Sequence, residues 1–345
     1  MLIDLRSDTV TRPTAGMMEA MTKARVGDDV FNEDPTVIAL EEKAAGLFGM
    51  EAGLFCPSGT MTNQIAIKVH THPGDEVICD ATSHIYNYEG GGIAFNSGVQ
   101  AKLLPGERGR FSARQVEEVI NLPFDWLTRT RLVSVENTCN RAGGSFYTYE
   151  MMKEIGELCR KKDLRYHLDG ARIFNALIEF KDGDNTAKRA YRTGRLFDSV
   201  SVCLSKGLGT PAGSVLLGTK EFIRQARRIR KVFGGGMRQA GFLAACGTYA
   251  LDHHVERLRD DHARAKKLGA EIAKLPYVKE VIPVETNIVI FNLDEKMHHE
   301  EFVRKVREHD IIAVSFGRQA IRFVTHLDFT DAMLDRTVEV LRKIS

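Results

Sequence analysis

The sequence predicts an α/β protein, with an open, mostly parallel sheet flanked by helices and a smaller C-terminal αβ lobe. Three observations carry this. Short apolar runs of strand character alternate with segments of helical period, the pattern of βα units. Two runs, 165–168 and 199–204, deliver Asp169 and Lys206 at their ends. The 36 residues between these two groups leave room for a helix and a return strand, so both can stand at one carboxyl edge. Near Gly247 the character changes to a long charged stretch followed by alternating segments.

Composition bounds the function. A chain of 345 residues with 43% hydrophobic content can bury a large core and divide into two domains. With 48 basic against 46 acidic residues, the net charge of +2 implies neither a nucleic-acid nor an anionic-membrane surface. No apolar run reaches membrane-span length, and charges sit where a signal peptide needs an apolar core. The six cysteines form no Cys-x-x-Cys pair, which argues against a metal site and a disulfide framework. A reducing cytoplasm is the expected location.

In chain order, the polar N-terminus through Thr14 is either a docked arm or a frayed end, with disorder the default. Thr36 opens a helix of apolar period that ends at Gly49, with Pro35 in its capping region. The run 54–56 leads into Pro57-Ser-Gly-Thr60 and another helical pattern. Glycine and hydroxyls at a helix start offer backbone N–H groups to a phosphate, although an ordinary cap at Ser58 or Thr60 explains them too. The strand 76–79 precedes His84, whose flat imidazole beside Gly90-Gly-Gly92 could stack on a planar cofactor or serve as a hydrogen-bonded structural histidine. His70 and His72 read as loop residues without a ligand set. A helix follows at 112–120, then the strand 131–135 with polar residues 136–141 after it, and a helix around 152–159. The basic segment 181–195 reads as a solvated loop. The strand 215–217, a basic helix 221–231 and the turn Phe233-Gly-Gly-Gly follow. The lobe consists of one long helix 251–275, β-like segments 287–293 and 320–325, and a helix at 299–308.

Chemistry centres on Lys206 and Asp169. A desolvated lysine amine reacts with carbonyl compounds, and an acid is what the pyridine nitrogen of pyridoxal phosphate requires. Alone, Lys206 reads as a solvated loop lysine and Asp169 as a solvated turn acid; together they are more specific.

Several motifs in order resemble the low-specificity L-threonine aldolase family over almost the whole chain. They are Asp4-Leu-Arg-Ser-Asp-Thr-Val-Thr11, Pro57-Ser-Gly-Thr-Met-Thr-Asn-Gln64, Ser83-His84, Glu136-Asn-Thr138, His167-Leu-Asp-Gly-Ala-Arg172, Ser205-Lys-Gly-Leu208, Gly234-Gly-Gly-Met-Arg-Gln-Ala240 and Arg322-Phe-Val-Thr-His326. The resemblance implies pyridoxal phosphate fold type I: a mostly parallel seven-stranded sheet flanked by helices, plus a smaller C-terminal αβ domain. The corresponding boundaries are an arm at 1–20, a large domain at 21–246 and a small domain at 247–345. It also implies roles. Lys206 holds the cofactor covalently, Asp169 binds the ring nitrogen, and His84 stacks on the ring and is the first candidate base. Gly59 and Thr60 hold the phosphate. Arg172 lies near the ring hydroxyl and the substrate carboxylate, which Ser7 and Arg322 also hold. Lys231 and Arg238 reach the cofactor of a neighbouring subunit in a homotetramer, a dimer of dimers. No metal is implied.

One position departs. Cys139 stands where the family commonly has a histidine near the substrate β-hydroxyl, so poor discrimination between the threonine diastereomers, or a preference for a bulkier β-substituent, is expected. The implied reaction is cleavage of L-threonine, L-allo-threonine or a related β-hydroxy-α-amino acid to glycine and an aldehyde. The alternatives are a phenylserine-type aldolase, a β-elimination lyase, or a cofactor-binding protein without turnover.

Overall fold

The computed structural model describes residues 2–344. Seven strands form the central sheet, in the spatial order Ala52–Cys56, Ser214–Gly218, Ser199–Cys203, Arg165–Gly170, Arg129–Glu136, Asp75–Asp80 and Gln100–Leu104. Only Ser214–Gly218 runs against its neighbours. Its inner strands, such as Ser199–Cys203 and Asp75–Asp80, are buried along their whole length, as a sheet covered on both faces requires. Arg165–Gly170 and Ser199–Cys203 are adjacent and parallel, which places Asp169 and the Lys206 loop at one carboxyl edge. Glu136 lies in register with Asp169 on the other side.

Helix starts follow local chemistry. Asp34 caps Pro35–Leu47 through Thr36 and Val37 N–H, so Pro35 is the first helical residue rather than the cap. Ser58 caps Gly59–His70, and Ser112 with Gln115 forms a capping box on Ala113–Val119.

Three expectations fail for identifiable reasons. The basic segment 181–195 contains the helix Thr186–Gly194, capped by the Asn185 side chain. Its charges mask a buried face of Thr186, Ala190, Thr193 and Gly194, and Arg189 is itself buried on Asp182 and the Leu177 carbonyl. The long helix 251–275 is two helices, Gly241–His253 and Leu258–Ile272, broken without a glycine or proline. His70 is the last residue of a helix, not a loop residue. Its ring stacks on Phe222 at 4.6 Å, and burial pushes its pKa down to about 3.

Two main cores result. The larger surrounds the sheet and includes Ala244, Cys246, Ala250 and Leu251 of the helix that runs through Gly247. The second joins residues 265–344 to Ile3 and Leu5 of the N-terminus. The N-terminus is therefore docked. Ile3–Asp4 pairs in parallel with Ile311–Ile312, and Leu5 exchanges backbone bonds with Ile312 (3.0 Å) and Val324 (2.9 Å). All six cysteines are buried and free.

Because Leu5 is fully buried, Leu5→Ala is expected to cost about 2–5 kcal/mol in unfolding free energy. Chemical denaturation measures it, and a loss within about 0.5 kcal/mol would show that the arm adds no packing.

Candidate active site

Asp169 is buried at the strand end and cannot keep its charge there without donors. Ala171 N–H donates to one oxygen (3.1 Å) and Asn63 Nδ2 to the other (3.0 Å). The same Asn63 amide also donates to Glu89 (2.9 Å), which fixes its oxygen on the opposite side, facing His167 Nε2 at 3.2 Å. That oxygen only accepts, so His167 carries its proton on Nε2. Burial, the largest influence, pushes His167 down to about 3, so its Nδ1 is bare and accepts from the Ser199 hydroxyl (2.8 Å). The Ser199 oxygen in turn accepts from His70 Nε2 (2.8 Å). One assignment of protons satisfies the whole chain.

His84 begins the short helix His84–Asn87. Its Nδ1 meets Glu89 Oε1 at 2.9 Å, and Gln64 Nε2 holds the other Glu89 oxygen at 2.6 Å. Burial opposes a charge on His84, and Lys206 opposes it too; Glu89 and Asp169 outweigh both, so its pKa is raised. The His84 backbone N–H donates to Glu136 Oε2 (2.7 Å), while Asn140 N–H donates to Oε1 (2.9 Å). Burial, then the Asp169 charge, pushes Glu136 up to about 7.

Arg172 binds Asp8 bidentately, both bonds 2.7 Å, with the pair buried. Burial opposes the Asp8 charge, yet Arg172 and Lys206 hold its pKa down at about 2. Two donors of Arg172 are thus spent inside the protein. Arg322 donates to Asn140 Oδ1 (3.0 Å) and the Arg6 carbonyl (2.9 Å) and stacks on Phe316 at 4.4 Å. Its Nε is buried with no partner among the described residues, and burial followed by Arg172 lowers its pKa to about 10. An anion there would relieve both. Ser7 caps the turn Asp8–Val10 through Thr9 N–H.

Lys206 is half-buried on the loop after its strand. Gly59 stands at the start of its helix, where a Cβ would be only in ordinary contact, 3.5 Å from a Ser214 hydroxyl that is buried without a partner among the described residues. Thr60 is exposed beside it. Lys231 and Arg238 are exposed, and Arg238 pairs with Asp28 at 2.9 Å. Neither makes a bond to Lys206, Asp169 or His84 among the described residues. The Cys139 thiol is buried and donates to the carbonyls of Gly109 (3.4 Å) and Glu136 (3.3 Å). Burial raises its pKa well above the ordinary range. Sequence reasoning missed Asp8, Asn63, Glu89 and Asn140 as site residues. All four lie within or beside quoted motifs, but none is a residue type that signals chemistry alone.

An amine and a buried acid at one sheet edge, beside a helix start with free N–H groups, define a pyridoxal phosphate-dependent lyase of fold type I. The partnerless Ser214 hydroxyl and Arg322 Nε fit the cofactor and an amino-acid carboxylate. The description "Beta-eliminating lyase" matches residues 4–296. The chain is 39% identical to a probable low-specificity L-threonine aldolase 2 of Arabidopsis thaliana, covering 99% of this chain and 97% of that protein. It is also 39% identical to the low specificity L-threonine aldolase of Escherichia coli (strain K12), covering 96% of each. Its fold matches the threonine aldolase of Leishmania major with a TM-score of 0.84 at 20% identity, covering 99% of both chains. The chain belongs to the low-specificity L-threonine aldolase family, within the beta-eliminating lyases.

Because Glu89 supports the raised pKa of His84, Glu89→Gln is expected to lower it. In the wild type the extra protonation persists as pH rises past the ordinary histidine value of 6.5; in the variant it is lost earlier. Histidine proton resonances followed against pH measure the midpoint. A midpoint that stays or rises would remove Glu89 as the source.

Proposed function

We propose that the protein cleaves L-threonine and L-allo-threonine, or a related β-hydroxy-α-amino acid, to glycine and an aldehyde by breaking the Cα–Cβ bond. The observation that carries this reading is the unsatisfied, buried Arg322 Nε, close enough to Asp8 and Arg172 to feel their charges, with Lys206 beside Asp8. Arg322, with Ser7 and the remaining donors of Arg172, holds the substrate carboxylate; this orients the Cα substituents. Pyridoxal phosphate, when bound through Lys206 and Asp169 with its phosphate on Gly59 and Thr60, supplies the sink for the electron pair of the broken bond. His84, seated on Glu89, takes the β-hydroxyl proton as the carbonyl of the aldehyde forms. Cys139 spends its thiol hydrogen on backbone carbonyls and offers none to the substrate, which supports weak discrimination at the β-carbon.

The same reading includes a cytoplasmic homotetramer, a dimer of dimers in which Lys231 and Arg238 complete a neighbour's site. Their exposure, next to the exposed apolar side chains of Val232 and Phe31, supports an interface there.

Purified protein is expected to be yellow and to release glycine and acetaldehyde from L-threonine. Lys206→Ala is expected to lose both turnover and the borohydride-reducible link, and His84→Asn to lower kcat about 100- to 10,000-fold. Amino-acid analysis with an aldehyde assay checks these outcomes; a reducible link retained in Lys206→Ala would place the covalent lysine elsewhere.

Shared sites predict complementation. Mixing inactive Lys206→Ala subunits with inactive Arg238→Ala subunits should restore part of the activity, since one hybrid site recovers both groups. Confirmed hybrids without any recovery would count against sharing.

A further inference from the structure

The break between Gly241–His253 and Leu258–Ile272 faces the loop that carries Lys206. Three successive carbonyls of that loop are held from outside it. His254 Nδ1 lies 2.7 Å from the Leu208 oxygen, Arg257 Nη1 donates to Gly207 at 3.4 Å, and the Thr11 hydroxyl, whose proton the Asp8 carbonyl shares at 3.0 Å, lies 3.4 Å from the Lys206 oxygen. A carbonyl only accepts, so His254 carries its proton on Nδ1. Within the loop, Gly209 N–H donates back to the Lys206 carbonyl at 2.8 Å, with φ of +80° at Gly209. The loop is also wedged: a Cβ at Gly207 would lie 2.8 Å from Leu258, and one at Gly209 would lie 2.8 Å from Leu327. Leu258 and Leu327 therefore pack closely against the two glycines that follow the lysine.

The holding residues reach further. Arg257 forms an ion pair with Asp261, four residues along its helix. The Asp261 carbonyl accepts from Thr325 Oγ1 at 2.7 Å, and Thr325 directly follows the strand Ala320–Val324, which carries Arg322. A continuous set of bonded groups thus runs from the Lys206 loop to the strand bearing the carboxylate-binding arginine.

We infer that His254 and Arg257 are positioning residues for Lys206, and that Arg257, Asp261 and Thr325 tie the lysine loop to the Arg322 strand. The cofactor part of this inference rests on Lys206 as the covalent lysine. A continuous helix through 254–257 would keep these residues in regular helical array; the break turns them onto the loop.

The test compares His254→Leu, which deletes the donor, with His254→Asn, whose amide can replace it, in the full-length protein. In cofactor-free protein, amide exchange across 204–210 is expected to be about tenfold or more faster in His254→Leu, since a buried carbonyl loses its partner, and near wild type in His254→Asn. With pyridoxal phosphate added, His254→Leu should bind several-fold more weakly and show a displaced visible band, both restored in His254→Asn. Arg257→Gln provides a second route to the same readouts should His254→Leu not fold. Unchanged exchange in 204–210, or faster exchange throughout the chain with cofactor affinity intact, would reduce the contacts to packing and overturn the inference. Borohydride reduction and peptide mapping keep the two readings apart. A link on another lysine sinks the assignment of Lys206, while the exchange result still decides whether the loop is held.

Discussion

The rest of the site depends on satisfying the Asp169 carboxyl group inside a sheet buried on both faces. A carboxylate in such a place survives only if its lone pairs meet donors, and each donor must itself be satisfied. This requirement propagates through Asn63, His167 and Ser199 to His70. Both histidines are held neutral by burial, so each has one donor and one acceptor nitrogen, and the chain of bonds has a single direction. Residues quoted at first as a motif, or dismissed as a loop, turn out to be one structure. It spans the sheet at the strand Ser199–Cys203 and hands two amide protons to the acids beside His84.

Around that fixed acid, charges are arranged in opposition rather than neutralised pair by pair. Asp8 is tied to Arg172, while Arg322 feels Arg172 as a like charge and keeps one buried N–H unspent. Glu136 and Asp169 repel across adjacent strands, and Glu136 binds the backbones of both His84 and Asn140. Asn140 carries Arg322 in turn. Imidazole and guanidinium are therefore supported by one buried carboxyl group. A site built this way is ready for an anionic ligand without needing a lysine-rich surface, consistent with a net charge near zero.

Much of this was legible in the sequence because strand periodicity and polar strand ends are local signals. Asp169 and Lys206 could be placed on one edge from spacing alone. Asp8 could not be read as the partner of Arg172, because the two are joined by a fold that brings the first residues against the sheet edge. Glu89 stands before three glycines with no periodic signal of its own, and only the turn that follows His84 makes it the partner of that ring. The helix Thr186–Gly194 was hidden by charge, since its buried face includes Arg189, whose guanidinium is satisfied internally by Asp182 and the Leu177 carbonyl. The break at 254–257 carries no breaker residue, and its side chains His254 and Arg257 bond the lysine loop instead of marking a stop in the sequence.

The N-terminal arm has a consequence for how the molecule is made. Ile3 and Leu5 complete a core whose other members lie beyond residue 265, and Leu5 is bonded to Ile312 and Val324. During synthesis Ile3 and Leu5 are made long before the partners, from residue 265 onward, that give them their place. Until then Asp8 lacks the backbone that aims it, and Arg172 sits beside an unfinished edge. The large sheet can assemble from its own strands while the chain is still growing, since domains generally fold as units. The bonded set of Asp8, Arg172 and Arg322 cannot. A nascent chain would therefore acquire its scaffold well before that set, and one cut short before residue 265 would lack Arg322 altogether.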